Sequence, residues 1–269
     1  MKIAFIGGGN MARAIIGGLA AKKTDAEIAV KDPNADKRDA LARDFGAQCF
    51  EQASDWIAKA DMVVLTVKPQ VLKSCLQEIA PFISDSATVL SIAAAVPVES
   101  IVRWSGKTHV VRCLPNTPAM VGCGFSGLYA GAQADDVDKN RAEAVMKSVG
   151  RVLWVEDEDR LHVVTGGPGS GPAYVFLFME ALSSALENAG MSKSEAHELA
   201  LSTVEGAALL ARRSGEDFAK LRENVTSKGG TTAKAVEAFE DGGFRDLVDA
   251  AVQACMNRSR EMSRLFGAS

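Results

Sequence analysis

Long apolar runs, paired cysteines, clustered histidines and basic stripes are all missing from this sequence of 269 residues, and each absence removes a class of function. The two long uncharged stretches, Cys113 to Ala134 and Leu161 to Met179, are broken by Gly, Pro and Asn, so neither reads as a membrane span. The short apolar start before Gly7 lacks the h-region of a signal peptide, and the expectation is a soluble cytoplasmic protein. Cysteines 49, 75, 113, 123 and 255 are odd in number and form no CxxC pair, while His109, His162 and His197 stand far apart. Neither a disulfide framework nor a metal site is expected, and the cysteines read as buried reduced thiols. A net charge of −4 without a basic stripe leaves no pull toward nucleic acid or anionic membranes.

What is present is the balance of a folded protein, 47% apolar and 24% charged, long enough for one large or two ordinary domains. Up to about Val155, seven strand candidates alternate with helical patterns: KIAFI, EIAV, DMVVLTV, TVLSIA, HVVRCL, FSGLYA and RVLWV. Such alternation predicts a largely parallel sheet with helices on both faces. The acidic run Glu156-Asp157-Glu158-Asp159 reads as a solvated connector and sets the expected domains at 1–158 and 159–269. Beyond it only helices are expected, at about Pro172 to Gly190, Ser194 to Arg213, Thr231 to Glu240 and Arg245 to Leu265. Several are apolar on more than one face, which points to a homodimer interface.

Gly7-Gly8-Gly9-Asn10-Met11-Ala12 follows the first strand and opens a helix carrying Ile15, Ile16 and Leu19. In that context the GxGxxA pattern predicts a nicotinamide dinucleotide. Gly7 permits the tight turn, Gly9 lets backbone approach the pyrophosphate, and Ala12 lets helix and strand pack closely. The helix start adds N–H donors and a favourable dipole. Asp32, at the end of the second strand, reads two ways. It could grip a ribose 2′-hydroxyl and favour NAD, or cap a helix with Pro33 at its first position. Lys31, Asn34, Lys37 and Arg38 would suit a 2′-phosphate, so NAD versus NADP stays open on residue chemistry.

A second unusual string, Val225-Thr226-Ser227-Lys228-Gly229-Gly230-Thr231-Thr232, sets hydroxyls and glycines before a helix. This is either an anion site suited to a small carboxylate or an ordinary cap. VTSKGGTT resembles the signature VTSPGGTT of pyrroline-5-carboxylate reductases. FIGGGNMA, TVKP, SIAAA, RCLPNTPA, GSGPAYVF and GGFRDLVDAAVQA resemble the same family in the same order.

The resemblance implies an α/β Rossmann-type N-terminal domain followed by an all-α dimerisation domain, often assembled into larger rings. It implies reduction of the C=N bond of 1-pyrroline-5-carboxylate to L-proline with NADPH, with NADH use left open. Ile6, Gly7, Gly8, Gly9, Asn10 and Met11 would then hold the cofactor diphosphate. Thr66, Val67, Lys68 and Pro69 would lie on the adenosine side, Ile92, Ala93 and Ala94 toward the nicotinamide, and Asn116 near it. Ser227, Gly230, Thr231 and Thr232 would hold the substrate carboxylate, with the Thr232 hydroxyl catalytic at the ring nitrogen. Lys228 departs from the family's usual Pro, and Asp32 from its usual neutral or basic residue.

An imine fits a site without a strong acid, because its nitrogen is basic and positioning supplies much of the acceleration. A ketone would demand Lys or His as general acid. Two rival readings are weighed: a 3-hydroxyacid dehydrogenase, whose second domain carries a catalytic Lys on its first helix, and a dinucleotide-binding sensor without catalysis. GSGPAYVFLFMEA holds no Lys, and the Ser227 to Thr232 loop is intact.

Overall fold

The computed structural model describes residues 1–268. Its strands are β1 (Lys2–Ile6), β2 (Glu27–Lys31), β3 (Gln48–Phe50), β4 (Met62–Leu65), β5 (Thr88–Ser91), β6 (Val110–Leu114), β7 (Gly124–Ala130) and β8 (Gly150–Trp154). They form one sheet in the order β3-β2-β1-β4-β5-β6-β7-β8. Every pairing is parallel except that of β6 with β7. The seven strands expected from the sequence are all present. The eighth, β3, is a three-residue edge strand, too short to show alternation.

Helices α1 (Asn10–Ala21), α2 (Ala35–Phe45), α3 (Pro69–Ile79), α4 (Val98–Ser105) and α5 (Asp136–Met146) cover both faces of that sheet. Because side chains alternate along a strand, Ile3 and Phe5 of β1 join Ile15, Ile16 and Val64 on one side, while Ala4 and Ile6 join Val63, Leu65, Leu72 and Leu76 on the other. This double burial explains why the central strands read as nearly unbroken apolar runs.

The chain falls into two compact units, residues 1–170 together with 254–269, and residues 171–253. The boundary expected at 158 therefore lies short of the compact one. Leu161 and Val164 of α6 (Arg160–Val164) pack with Leu114, and so keep the segment past the acidic run in the first unit. Glu158, read from sequence as part of a solvated connector, accepts from the buried Arg112 guanidinium at 2.8 Å and from the Val98 N–H at 2.9 Å. A buried arginine needs such a partner.

The second unit holds α7 (Gly171–Asn188), α8 (Lys193–Ser214), α9 (Phe218–Asn224) and α10 (Thr231–Asp241), with the first part of α11 (Phe244–Ala268). Four of these match the expected helices within a few residues. The seven-residue α9, like the short α6, escaped a reading tuned to longer periodicity. No residue of α7 is buried, and Phe176, Leu177 and Leu247 are each more than 60% exposed. Among the described residues no helix is long and apolar enough to cross a membrane.

The last turns of α11 belong to the first unit, where Ser259 Oγ lies 2.8 Å from Nδ1 of the buried His162 and Arg103 donates to the Gly267 carbonyl at 2.6 Å. All five cysteines are free thiols. The expectation that they are buried holds fully only for Cys113, whose thiol burial pushes up to about 12; Cys123 is exposed and the other three are intermediate.

Candidate functional site

In a doubly wound sheet, ligands sit beyond the carboxyl ends of the parallel strands. There β1 runs into Gly7, whose φ of +105° suits a residue without Cβ. A Cβ at that position would come within 3.1 Å of the Thr66 carbonyl group and of Val67. The Gly7 N–H donates to the Lys31 carbonyl at 2.7 Å, closing the turn onto β2.

Gly9 is the N-cap of α1 in extended backbone, with no side-chain cap. The first helical bond runs from the Arg13 N–H to the Gly9 carbonyl at 2.9 Å, which leaves the N–H groups of Asn10, Met11 and Ala12 ahead of the ladder. A Cβ built on Gly9 would meet no atom within 4 Å, although its φ of −73° is open to any residue. The folded chain itself does not require glycine here. Open space before a ring of unpaired donors is the cradle that a diphosphate needs.

The other expected cofactor residues gather at the same sheet edge. The Thr66 hydroxyl lies 2.6 Å from the Gly7 carbonyl and 2.9 Å from that of Ile6, so it braces the glycine turn from β4. Lys68 is the exposed N-cap of α3, with Pro69 at the first helical position, where no N–H is needed. Ile92 follows β5 and donates to the Leu65 carbonyl at 3.1 Å; Ala93 is buried and Ala94 exposed. The next residue, Ala95, holds a φ of +60°, strained for any residue with a Cβ.

Asn116 is buried after β6, but its amide is already engaged. Oδ1 accepts from the Phe125 N–H at 2.8 Å and Nδ2 donates to the Pro168 carbonyl at 2.9 Å. It ties the PNTP turn to β7 and to the π-turn Thr165–Gly169 that leads toward α7.

Of the two sequence readings of Asp32, the helix cap fails. Asn34 is the N-cap of α2, accepting from the Lys37 N–H at 3.0 Å. Asp32 Oδ2 instead accepts from the Gly8 N–H at 2.7 Å. The string Asp-Pro suggested a cap two residues too early, because Asn34 competes for the same role.

The expected substrate residues all lie in the second unit, on the loop entering α10 and in its first turn. Gly230 is the N-cap of α10, again extended and without a side-chain cap. The Gly230 N–H donates to the Ser227 carbonyl at 3.0 Å, and Gly229 turns the chain with a φ of +74°. Any Cβ on Gly230 would collide with Ser227 Oγ. Ser227, Thr231 and Thr232 are exposed, and so is Lys228, which forms no described ion pair.

One titratable cluster lies apart from these residues. His109 Nδ1 sits 2.7 Å from Oδ2 of the buried Asp138, Thr88 donates to Oδ1 at 2.5 Å, and Asp135 completes a capping box. Burial pushes the Asp138 carboxyl up, but these hydrogen bonds hold it below the usual range. The cluster pins α5 to β5 and β6.

Sheet order and glycine turn together define a dinucleotide-binding α/β protein. Residues 2–95 match the family model described as NADP oxidoreductase, coenzyme F420-dependent, and residues 158–262 match the model for pyrroline-5-carboxylate reductase dimerisation. The chain is 43% identical over 268 residues to the pyrroline-5-carboxylate reductase of Pseudomonas aeruginosa, covering 99% of this chain and 98% of that one. A solved pyrroline-5-carboxylate reductase from Coxiella burnetii superimposes with a TM-score of 0.92 at 40% identity, over 97% of this chain and 98% of that one. The Plasmodium falciparum pyrroline carboxylate reductase, solved with NADP bound, gives 0.84 at 26% identity over 98% of each chain. The chain belongs to the pyrroline-5-carboxylate reductase family.

Proposed function

We propose that this enzyme reduces the C=N bond of 1-pyrroline-5-carboxylate to L-proline, the last step of proline biosynthesis, using NADPH or NADH. The observation that carries the reading is full-length identity of 36–43% to several enzymes of that name, from bacteria and a plant, with the glycine turn and the Ser227–Thr232 loop both in place. α7 contains no lysine, so the general acid that a hydroxyacid dehydrogenase would need is missing from that helix.

The reduced nicotinamide supplies the hydride when bound. The chain's part is to hold and orient. N–H groups of Asn10 and Met11 face the diphosphate at the start of α1, where the dipole favours anions. Lys68 and its neighbours Thr66, Val67 and Pro69 line the adenosine side, and Ile92 to Ala94 the nicotinamide side. Asn116 holds the backbone beside it.

At the start of α10, free N–H groups of Thr231 and Thr232 with the Ser227 hydroxyl receive the substrate carboxylate. The Thr232 hydroxyl donates toward the ring nitrogen, which takes a proton as the adjacent carbon takes hydride. Because the imine nitrogen is itself basic, a hydroxyl suffices.

Cofactor binding is assigned to residues 1–158, and substrate binding and dimerisation to residues 159–269. The segment from α6 through the π-turn packs with the first unit while serving as the passage. The exposed apolar faces of α7 and α11 fit a dimer, with rings of dimers as the larger assembly, working in the cytoplasm.

The deciding assay follows oxidation of NADPH and of NADH with and without 1-pyrroline-5-carboxylate. Oxidation that depends on substrate, with proline as product, is expected. Its absence with both cofactors overturns the assignment.

A further inference from the structure

At the end of the second strand of a dinucleotide-binding sheet, an acidic side chain usually serves the adenosine ribose with oxygens that face outward. Asp32 is placed otherwise. It is only 5% exposed. Oδ2 accepts from the Gly8 N–H at 2.7 Å and Oδ1 from the Asn34 N–H at 2.8 Å, while Lys37 Nζ stands 3.6 Å from Oδ2. Its backbone is held as tightly: the Asp32 N–H donates to the Phe50 carbonyl at 3.2 Å, and Arg38 donates to the Asp32 carbonyl at 2.8 Å. A Cβ on Gly8 would lie 3.4 Å from both Asp32 Cβ and Oδ2, so the turn rests directly on this side chain.

We infer that Asp32 is a positioning residue of the glycine turn, holding the Gly8 N–H so that the next N–H groups point at the diphosphate, and that it does not discriminate between NADH and NADPH. The inference rests on the diphosphate role of the turn. With the Gly7 N–H taken by Lys31 and the Gly8 N–H by Asp32, the first donors left for a ligand are those of Gly9 and of the start of α1. The diphosphate is common to both cofactors, whereas a ribose contact tells them apart. Loss of a positioning carboxylate therefore weakens NADH and NADPH together. Loss of a ribose-reading carboxylate would weaken NADH and, by removing repulsion of a 2′-phosphate, tighten NADPH.

The test measures dissociation constants of NADH and NADPH by nicotinamide fluorescence for Asp32→Ala and Asp32→Asn, with kcat and KM at saturating substrate. Asp32→Ala is expected to raise both constants by about ten- to a hundredfold, the loss of a hydrogen bond to a charged group. Their ratio should stay within about twofold and kcat at saturating cofactor should hold, a split that general loss of fold would not produce. Asp32→Asn keeps one oxygen for one of the two N–H groups. It should give a smaller, equally parallel loss, and it serves as the test protein if the alanine variant does not fold. A selective change, NADH weaker and NADPH tighter, overturns the inference. So do unchanged constants for both cofactors in Asp32 variants while Gly9→Val abolishes binding. If Gly9→Val leaves binding intact, the diphosphate role of the turn falls, and this inference with it.

Discussion

The turn before α1 and the loop before α10 use one device against different backgrounds. Each helix begins on a glycine N-cap in extended backbone, φ −73° and ψ −177° at Gly9, φ −78° and ψ 174° at Gly230, and neither has a side-chain cap. α2, α5, α8 and α9 are capped by Asn34, Asp135, Ser192 and Asp217, whereas α3, α4 and α6 also start without a side-chain cap. A capping oxygen consumes the N–H groups that an anion would use. Both proposed anion sites thus lie at helix starts whose donors stay open. They differ in what surrounds the glycine: Gly9 faces open space, whereas Gly230 stands against Ser227 Oγ. A side chain at the first would fill the space proposed for a ligand; at the second it would push Ser227 Oγ aside.

The strongest way to break this comparison is Gly9→Val. If the space beside Gly9 exists for a diphosphate, the variant should bind NADPH at least about a hundredfold more weakly through steric conflict. It should lose at most about 1 kcal/mol of stability through the poorer cap. Fluorescence titration and calorimetry on one preparation check both; a large drop in melting temperature would show that the glycine serves the fold after all. Next in size is Thr232→Val, for which kcat should fall about 10²-fold with the NADPH dissociation constant unchanged, as expected for a lost proton donor. Near-normal kcat would remove Thr232 from the chemistry.

The second loop predicts a coupling that the first does not. Ser227→Ala alone should raise the substrate KM by roughly ten- to a hundredfold, from the loss of about 1.5–3 kcal/mol in a hydrogen bond to the carboxylate. Gly230→Ala should raise KM comparably, because its methyl displaces Ser227 Oγ. The double variant should then be little worse than Ser227→Ala, since the colliding atom is gone and residues in contact are not additive. Strict additivity in steady-state kinetics would mean that the two positions act separately.

Much of this was legible in the sequence where a local pattern determines local structure. GGGNMA after KIAFI required a strand–turn–helix corner, and the structure has one, with Gly7 at positive φ. Other features depended on distant partners that spacing does not reveal. Asp32-Pro33 had the grammar of a helix start, but the carboxylate is claimed by Gly8, 24 residues earlier. Glu158 looked like one charge in a solvated run until Arg112, 46 residues away, was found against it. The compact units divide later than the boundary expected at 158, because the packing of Leu161 and Val164 on Leu114 is a tertiary fact. The loop Ser227 to Thr232 lay between these cases. Its hydroxyls and glycines were visible, but by themselves they could not separate a ligand site from a side-chain cap; in the structure Gly230 begins α10 with no such cap.

A third turn at the cofactor edge carries the comparison to its smallest expected effect. Between β5 and α4, the buried Ala95 holds a φ of +60°, where Gly7 at +105° has no Cβ to strain. A left-handed conformation costs a residue with a Cβ about 1–2 kcal/mol. Glycine would remove that strain but return about 0.4–1 kcal/mol through the greater freedom of its unfolded chain. Ala95→Gly should therefore stabilise the protein by about 0.5–1 kcal/mol, a rise of roughly 1–4 °C in melting temperature at this chain length, with kcat unaltered. A fall in melting temperature would show that the packing of the Ala95 methyl outweighs the backbone strain. In that case alanine would belong to this turn as firmly as glycine belongs to the other two.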